Sequence, residues 1–179
     1  MERQRLAIVV ADVVGYSRLM QANEDATHAR LTAIRHGLIE PHLASHHGRY
    51  VKSTGDGFIA TFSDPRDAIA CSLAVQQALQ EEADGALDAE GIQLRIGLNV
   101  ADVIVEPDDV YGDGVNIAAR LQTFAVPGGI VLPRDLAEGV TTRSDVYKQD
   151  LGELPLRNIR EPVQAVSLRL GNAGPRRLG

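Results

Sequence analysis

The sequence has a single cysteine, Cys71, no tryptophan and no long hydrophobic run. One cysteine has no partner within the chain, so an intrachain disulfide framework, the usual support of small secreted domains, is excluded. No stretch approaches the roughly 20 consecutive apolar residues of a membrane-spanning helix. The apolar run after Arg5 ends at Asp12, which makes it too short for the core of a signal peptide. These absences favour a cytoplasmic protein without membrane insertion.

The chain also lacks an excess of positive charge. Its 18 Lys and Arg residues are outnumbered by 24 Asp and Glu residues, which gives a formal net charge of −6. Duplex DNA and anionic membrane surfaces attract clustered Lys and Arg side chains, so the composition disfavours a nucleic acid or a membrane as partner. A small anionic substrate is compatible with it, because a few placed cations and bound metal ions suffice to hold one.

What is present is typical of a globular protein, with 44% hydrophobic and 23% charged residues. The length of 179 residues fits one domain. We predict a single domain over residues 1–170 and a flexible tail or the start of a linker over residues 171–179, where Gly, Pro and Arg occur without periodicity.

Apolar runs and helical spacings alternate along the chain. They predict strands at residues 6–14, 50–53, 58–62, 94–100, 103–105, 130–132, 146–151 and 163–170. They predict helices at residues 23–47, kinked or divided at Pro41, from Pro65 onward, and at residues 115–124. This order is βαββαβ with additional C-terminal strands. It matches an α+β fold with a ferredoxin-like (palm-like) split βαβ sheet and helices on one face.

Two aspartates lie at the ends of predicted strands. Asp12 ends an otherwise apolar strand, where a charge is costly unless a cation or a hydrogen bond compensates it. Asp56 lies in the connection Thr54-Gly55-Asp56-Gly57 and, taken alone, is typical of a turn aspartate. A pair of aspartates on neighbouring sheet elements is, however, what Mg²⁺ uses together with substrate phosphates and water.

A third segment, residues 109–120, reads DVYGDGVNIAAR. Asn116 and Arg120 are four residues apart on the predicted helix, so their side chains share one face. A solvated helix face is the commoner role of such a pair, and Asp113 fits a helix cap. The segment therefore indicates a functional site only in combination with the two aspartates.

In combination, the chain resembles the class III adenylate and guanylate cyclases, especially bacterial members that begin with a strand like Ala11-Asp12-Val13-Val14-Gly15-Tyr16-Ser17. The resemblance covers roughly residues 5–170 and depends on three motifs in the right order and spacing. They are the strand end at Asp12, Lys52-x-x-Gly55-Asp56, and Asp109-x-x-Gly112-x-x-Val115-Asn116-x-Ala118-x-Arg120.

The resemblance implies a class III cyclase fold and two functional pairs. Asp12 and Asp56 would hold two Mg²⁺ or Mn²⁺ ions, with the backbone carbonyl of Val13 as a further ligand. Lys52 and Asp109 would read the base: an ammonium donates to N1 of adenine, and a carboxylate accepts from its exocyclic amine. Guanylate cyclases of this family carry Glu at the position of Lys52, so ATP is the expected substrate.

Three further residues receive roles from the resemblance. Asn116 would orient the ribose, and Arg120 would stabilise charge on the α-phosphate in the transition state. Arg157 matches a position where several members have a Lys facing the triphosphate, and arginine also binds phosphate. The implied reaction converts ATP to 3′,5′-cyclic AMP and pyrophosphate by in-line attack of the ribose 3′ oxygen on the α-phosphorus, assisted by two metal ions.

The family's site straddles a dimer interface, and this chain carries every element, so the resemblance implies a homodimer with two equivalent sites. Regulatory domains outside this chain are compatible with it. Three alternatives remain. The first is a non-catalytic nucleotide-binding or dimerisation module of the same fold, and the second is a guanylate cyclase, which Lys52 disfavours. The third is a diguanylate cyclase, but residues 53–58 lack the adjacent pair of acidic residues that is typical of that family. His42 and His46 have the spacing of a zinc pair, but no further ligand accompanies them, and we assign them no role.

Overall fold

The computed structural model of the protein describes residues 2–85, 91–140 and 144–171. Its strands are β1 Glu2–Val13, β2 Gly48–Ser53, β3 Gly57–Phe62, β4 Leu94–Glu106, β5 Asp109–Tyr111, β6 Ile130–Pro133, β7 Val146–Leu154 and β8 Val163–Leu170. Its helices are α1 Tyr16–Ala22, α2 Glu24–Ile34, α3 Glu40–Ser45, α4 Pro65–Gly85, α5 Asp113–Gln122 and α6 Arg134–Ala137. The predicted tail lies, apart from Gly171, outside the described residues.

The strands form one mixed sheet in the order β2-β3-β1-β4-β6-β8-β7, with β5 paired to β4 beside this path. The four strands β2, β3, β1 and β4 pair antiparallel with one another. With the helices between them they make the predicted ferredoxin-like βαββαβ core. The later strands extend the sheet on the far side of β4, where β6 runs parallel to β4. The α+β class and the additional C-terminal strands are thus confirmed.

Both faces of the sheet are covered. Alternate side chains of β1 point to opposite faces. Those of Ala7, Val9, Ala11 and Val13 pack in a core with α2, α3 and α4, which we call the α4 face. Those of Leu6, Ile8 and Val10 pack with Ala118 of α5, on what we call the α5 face. Burial on both sides explains the nearly continuous apolar run of β1.

The prediction of helices on one face is right for the helices of the βαββαβ core, which pack on the α4 face, and wrong for α5, which lies on the other face. α5 lies so close to β4 that a Cβ at Gly97 would meet the backbone of Ala118 and Gln122. A side chain at this position would push the helix away from the sheet. The absence of a side chain at Gly97 lets α5 seat directly on the strand.

Two other predicted segments differ from the structure. Residues 94–100 and 103–105 belong to one strand of 13 residues, β4, because β1 pairs with it through the polar interruption, where Arg5 lies opposite Asp102. The predicted helix 23–47 is divided, as expected at Pro41, but by a π-helical turn, Arg35–Ile39, that precedes α3. Pro41 lies in the first turn of α3, where its missing N–H is tolerated. The short elements β5, α1 and α6 were not predicted.

Within the described ranges, no helix is both long and apolar enough to cross a membrane.

Candidate active site

Asp12 and Asp56 are brought together by the backbone around them. Asp12 is paired with Gly57 in the register of β1 and β3, and the Val13 amide donates to the Asp56 carbonyl at 2.7 Å. A Cβ at Gly57 would meet the Ala11 carbonyl, so only glycine allows the hairpin to lie this close to β1. As a result the two carboxyl groups are within hydrogen-bonding reach of each other.

The charge of Asp12 is affected by its burial and by its neighbours. Partial burial, followed by the hydrogen bond and the negative charge of Asp56, raises the pKa of Asp12 to about 6. Arg95 and the Val13 amide act in the opposite direction. Arg95 lies opposite Asp12 in the register of β1 and β4, and its Nε donates to the Ala125 carbonyl at 3.0 Å. Arg95 is thus the kind of cation that a buried Asp12 was expected to need, and its identity was not predicted from the sequence.

The two aspartates suit a hard divalent ion. Two carboxylates in contact favour a cation between them, and Mg²⁺ or Mn²⁺ takes oxygen ligands of this kind. Within residues 2–85, 91–140 and 144–171, no group of three or more His, Cys, Asp or Glu side chains is placed to hold a metal. An ion at Asp12 and Asp56 would complete its coordination with a backbone carbonyl such as that of Val13, with phosphate oxygens and with water.

Lys52 and Asp109 form an ion pair between β2 and β5. The Lys52 Nζ lies 3.0 Å from Asp109 Oδ1, and the Val110 amide donates to the same oxygen at 2.8 Å. The hydrogen bond from Lys52 is the main reason that the pKa of Asp109 is lowered. The side chains are 40% and 22% exposed, so solvent reaches both and a ligand is able to replace either partner.

An irregularity in β2 directs Lys52 toward Asp109. The pairing of β2 with β3 shifts between Tyr50 and Lys52, as in a β-bulge. In a regular strand these two side chains would share a face. Here Tyr50 lies opposite Ala60 and packs against the core of the α4 face, whereas Lys52 lies opposite Ile59, whose side chain packs in the core of the α5 face.

Asn116 and Arg120 lie on α5, one turn apart, as predicted. Asn116 is exposed and Arg120 is half-buried, while Ala118 and Leu121 between and beside them face the sheet. Asp113 is the first residue of α5 and not its cap, because Gly112 occupies the N-cap position. A negative charge in the first turn still favours the helix through its dipole.

Arg157 lies in the connection between β7 and β8 and is exposed. The preceding residue, Leu156, is buried in a small core with Leu121 of α5, so the connection is anchored on the α5 face. In the described part of the chain, no hydrogen bond or ion pair joins Arg157 to the other candidate site residues. The structure therefore assembles two close pairs, Asp12 with Asp56 and Lys52 with Asp109, and leaves Arg157 apart from them.

A family model described as the adenylate and guanylate cyclase catalytic domain matches residues 1–169. The chain belongs to this family. The match covers the sheet, both close pairs and α5, so the site described above lies wholly within the cyclase domain.

Individual relatives agree with this assignment. The cyclase domain is 41% identical over 162 residues to the "Putative adenylate cyclase 3" of Rhizobium meliloti (strain 1021), covering 90% of this chain and 28% of that protein. The chain thus spans little more than a quarter of that relative's length. A crystal structure of an adenylate/guanylate cyclase/hydrolase from Silicibacter pomeroyi is 37% identical with a TM-score of 0.83, covering 94% of this chain and 98% of that one. The adenylyl cyclase CyaB from P. aeruginosa, 20% identical with a TM-score of 0.77 over the whole of both chains, shares the fold.

His42, His46 and Cys71 have structural surroundings that account for them without a role in the site. The Nδ1 atoms of His42 and His46 each lie 2.7 Å from a backbone carbonyl one turn earlier, those of Leu38 and His42. Cys71 is buried in the core of the α4 face. Burial raises the pKa of its thiol to about 12.

Proposed function

We propose that this cyclase domain is an adenylate cyclase that converts ATP to 3′,5′-cyclic AMP and pyrophosphate. The ion pair of Lys52 with Asp109 carries the proposal. Adenine presents an acceptor at N1 and a donor at its exocyclic amine, which match an ammonium and a carboxylate. Guanine presents a donor at N1 and an acceptor at O6. At each of these two positions it therefore requires the opposite kind of partner from adenine. The name of the Rhizobium meliloti relative points to the same substrate.

Asp12, Asp56 and the Val13 carbonyl would hold the metal ions. Bound Mg²⁺ or Mn²⁺ would supply charge neutralisation at the phosphates and a lowered pKa for the attacking hydroxyl. The carboxylates bind as anions, and Arg95 lowers the pKa of Asp12 and so favours its charged form. The nearby cation therefore helps to keep the site ready for metal at neutral pH.

The residues of α5 would act on the reacting groups. In the reaction, a bond forms between the ribose 3′ oxygen and the α-phosphorus, and the bond from that phosphorus to the leaving pyrophosphate breaks. Arg120, which is always charged, would stabilise the negative charge that grows on the α-phosphate oxygens. Asn116, one turn earlier, would hold the ribose. Arg157 would bind phosphate oxygens from the β7–β8 connection.

The active site would be completed by a second copy of the chain. In our proposal Asp12 and Asp56 come from one copy and the α5 residues from the other, which gives two equivalent sites in a two-fold dimer. Exposed apolar side chains at both ends of α5 support this arrangement, because such surfaces are typical of interfaces. They are Tyr111, Phe124 and Val126, which are 46%, 43% and 40% exposed.

The proposal is tested by measuring cyclic nucleotide production with ATP or GTP and with Mg²⁺ or Mn²⁺. We expect metal-dependent cyclic AMP, little cyclic GMP, and loss of both products in Asp56→Ala. Asp135→Ala, which removes an exposed aspartate at the start of α6, is the matched control and should retain activity. Cyclic GMP as the main product would replace our assignment with a guanylate cyclase, and a folded dimer without product would favour a non-catalytic nucleotide-binding module.

A further inference from the structure

Arg35 and Tyr50 form a contact that the proposed reaction does not use. The guanidinium carbon of Arg35 lies 4.1 Å from the centre of the Tyr50 ring, within the range of a cation–π interaction. Arg35 also donates from Nε to Glu40 Oε2 at 2.8 Å, and this bond is the main reason that the pKa of Glu40 is lowered. The guanidinium is therefore held by the Glu40 carboxylate through Nε, and it packs against the Tyr50 ring.

The π-helical turn makes this arrangement possible. In an α-helix, residues five apart point about 140° away from each other, so Arg35 and Glu40 would not meet. In the π turn the Glu40 amide donates to the Arg35 carbonyl, so residues five apart are brought toward the same side of the helix. The irregular turn thus brings Glu40 to Arg35 and fixes Arg35 over β2.

Tyr50 connects Arg35 to the hairpin that carries Asp56. The Tyr50 ring stacks on Phe58 of β3 with centroids 5.5 Å apart, and the Ser53 hydroxyl interacts with the Tyr50 phenol. Ser53 Oγ in turn accepts from the Gly55 amide at 3.3 Å. The contacts of Tyr50 thus bridge both strands of the hairpin at the base of the loop.

The hairpin has open space behind it. A cavity of about 180 Å³ separates the hairpin from α1 and α2 and is lined on one side by Ser53 and Asp56 and on the other by His28 and Thr32. Side chains do not fill this volume, so close packing cannot hold the hairpin there. Arg35 and Tyr50 also line the cavity, and their contact spans the gap that packing leaves.

We propose that Tyr50, fixed by Arg35, is a positioning residue for Asp56: it holds the β2–β3 hairpin against the end of β1, so that the Asp56 carboxylate stays beside Asp12. This inference rests on the proposed metal-binding role of these aspartates. Its structural part is the contact of the hairpin with the end of β1, which we call the seating of the hairpin. This contact does not depend on metal or on activity.

The seating is measured by hydrogen exchange of the metal-free protein. The Val13 amide donates across to Asp56, so its exchange rate reports how often the hairpin leaves β1. We expect Tyr50→Leu and Arg35→Gln each to speed exchange of this amide by about tenfold. Tyr50→Phe keeps both ring contacts and loses only the interaction of the phenol with Ser53, so exchange of the Val13 amide should remain within about twofold of the wild type. Tyr147→Leu, at an exposed tyrosine on the opposite edge strand β7, is the matched control and should have no effect.

The consequence for the site is measured by Mn²⁺ binding, followed by electron paramagnetic resonance with a non-reactive ATP analogue. We expect Tyr50→Leu and Arg35→Gln to weaken Mn²⁺ binding by about tenfold, the scale of losing a group that orients a ligand.

Unchanged exchange at Val13 in Tyr50→Leu and Arg35→Gln would overturn the inference. Equal acceleration at amides throughout β1 to β4 would also overturn it, because that pattern reports general destabilisation. Faster exchange at Val13 with unchanged Mn²⁺ binding would overturn the link to the metal site. A chain without cyclase activity that still shows the local exchange pattern would contradict the proposed function and leave the seating of the hairpin intact.

Discussion

The Lys52 Nζ lies 3.0 Å from Asp109 Oδ1, although the two residues belong to strands, β2 and β5, that are far apart in the chain. The Lys52 ammonium lowers the pKa of Asp109 and so favours the charged form of this carboxylate. A donor and an acceptor are therefore held side by side at a surface that solvent reaches. This is the arrangement on which base selection in our proposal depends.

Reversal of the charge at Lys52 should change the preferred base. In Lys52→Glu the donor to adenine N1 is lost and replaced by an acceptor, so we expect kcat/KM for ATP to fall by about 100-fold or more. The ratio of GTP to ATP turnover should rise, because a carboxylate accepts from guanine N1–H. Initial rates of cyclic AMP and cyclic GMP formation give both values.

The matched control is Lys148→Glu, which reverses the charge of a lysine on β7 whose Nζ donates to the Ala137 carbonyl. Its ratio of GTP to ATP turnover should equal that of the wild type. An unchanged ratio in Lys52→Glu would show that the base is read elsewhere.

Local patterns were sufficient to predict the main elements. The apolar run around Ile8 predicted the central strand, and the aspartate that ends it was recognised as costly to bury. The glycine-flanked Asp56 predicted a tight connection between two strands, and β2 and β3 are joined there. The resemblance to the class III cyclases implied that Lys52 and Asp109 act as a pair, and the structure places them in contact. These features depend on neighbours in sequence or on a recognised family pattern.

Features that depend on tertiary contacts were not predicted. The shift in pairing near Lys52 arises between two strands. Pro41 predicted a break in the helix, but not that a π turn at Arg35 would form it. The position of α5 on the second face depends on the approach of its backbone to Gly97. Arg95 was missed because an arginine in an alternating strand is typical of a solvent-facing position, whereas here it lies opposite Asp12.

A methyl group at Gly57 should separate the hairpin from β1. In Gly57→Ala the added Cβ would meet the backbone of Ala11 and Asp12, which cannot move aside without disturbing the sheet. We expect a loss of about 1–3 kcal/mol in the free energy of unfolding, measured by urea denaturation, and a loss of metal-dependent activity.

Gly37→Ala is the control for this change, because it adds the same methyl group where no atom lies within 4 Å. In a helical segment it should leave the free energy of unfolding unchanged or raise it by up to about 1 kcal/mol. Equal stability of Gly57→Ala and Gly37→Ala would contradict the close contact at β1.

The Cys71 thiol should be unreactive in the folded protein. Burial raises its pKa from 9.0 to about 12, so at pH 8 almost no thiolate is present and reagents have no access. The folded state thus favours the neutral thiol. This contribution to stability is complete below pH 9 and is lost as the pH rises toward 12. Thiol labelling at pH 8 should be slow without urea and rapid with it, and fast labelling of the folded protein would contradict the burial.

Mixing two inactive variants should restore activity if the site is shared between copies. Arg120→Ala should lower kcat by about two to three orders of magnitude, the effect of losing one oriented charge in the transition state, and Asp56→Ala should remove metal-dependent activity.

In a mixed dimer, one of the two sites would combine an intact metal pair from one copy with an intact α5 from the other. Random exchange of subunits would then recover about a quarter of the wild-type rate. If each copy instead contained a complete site of its own, every site in the mixture would carry one defect, and the rate would stay at the level of the separate variants.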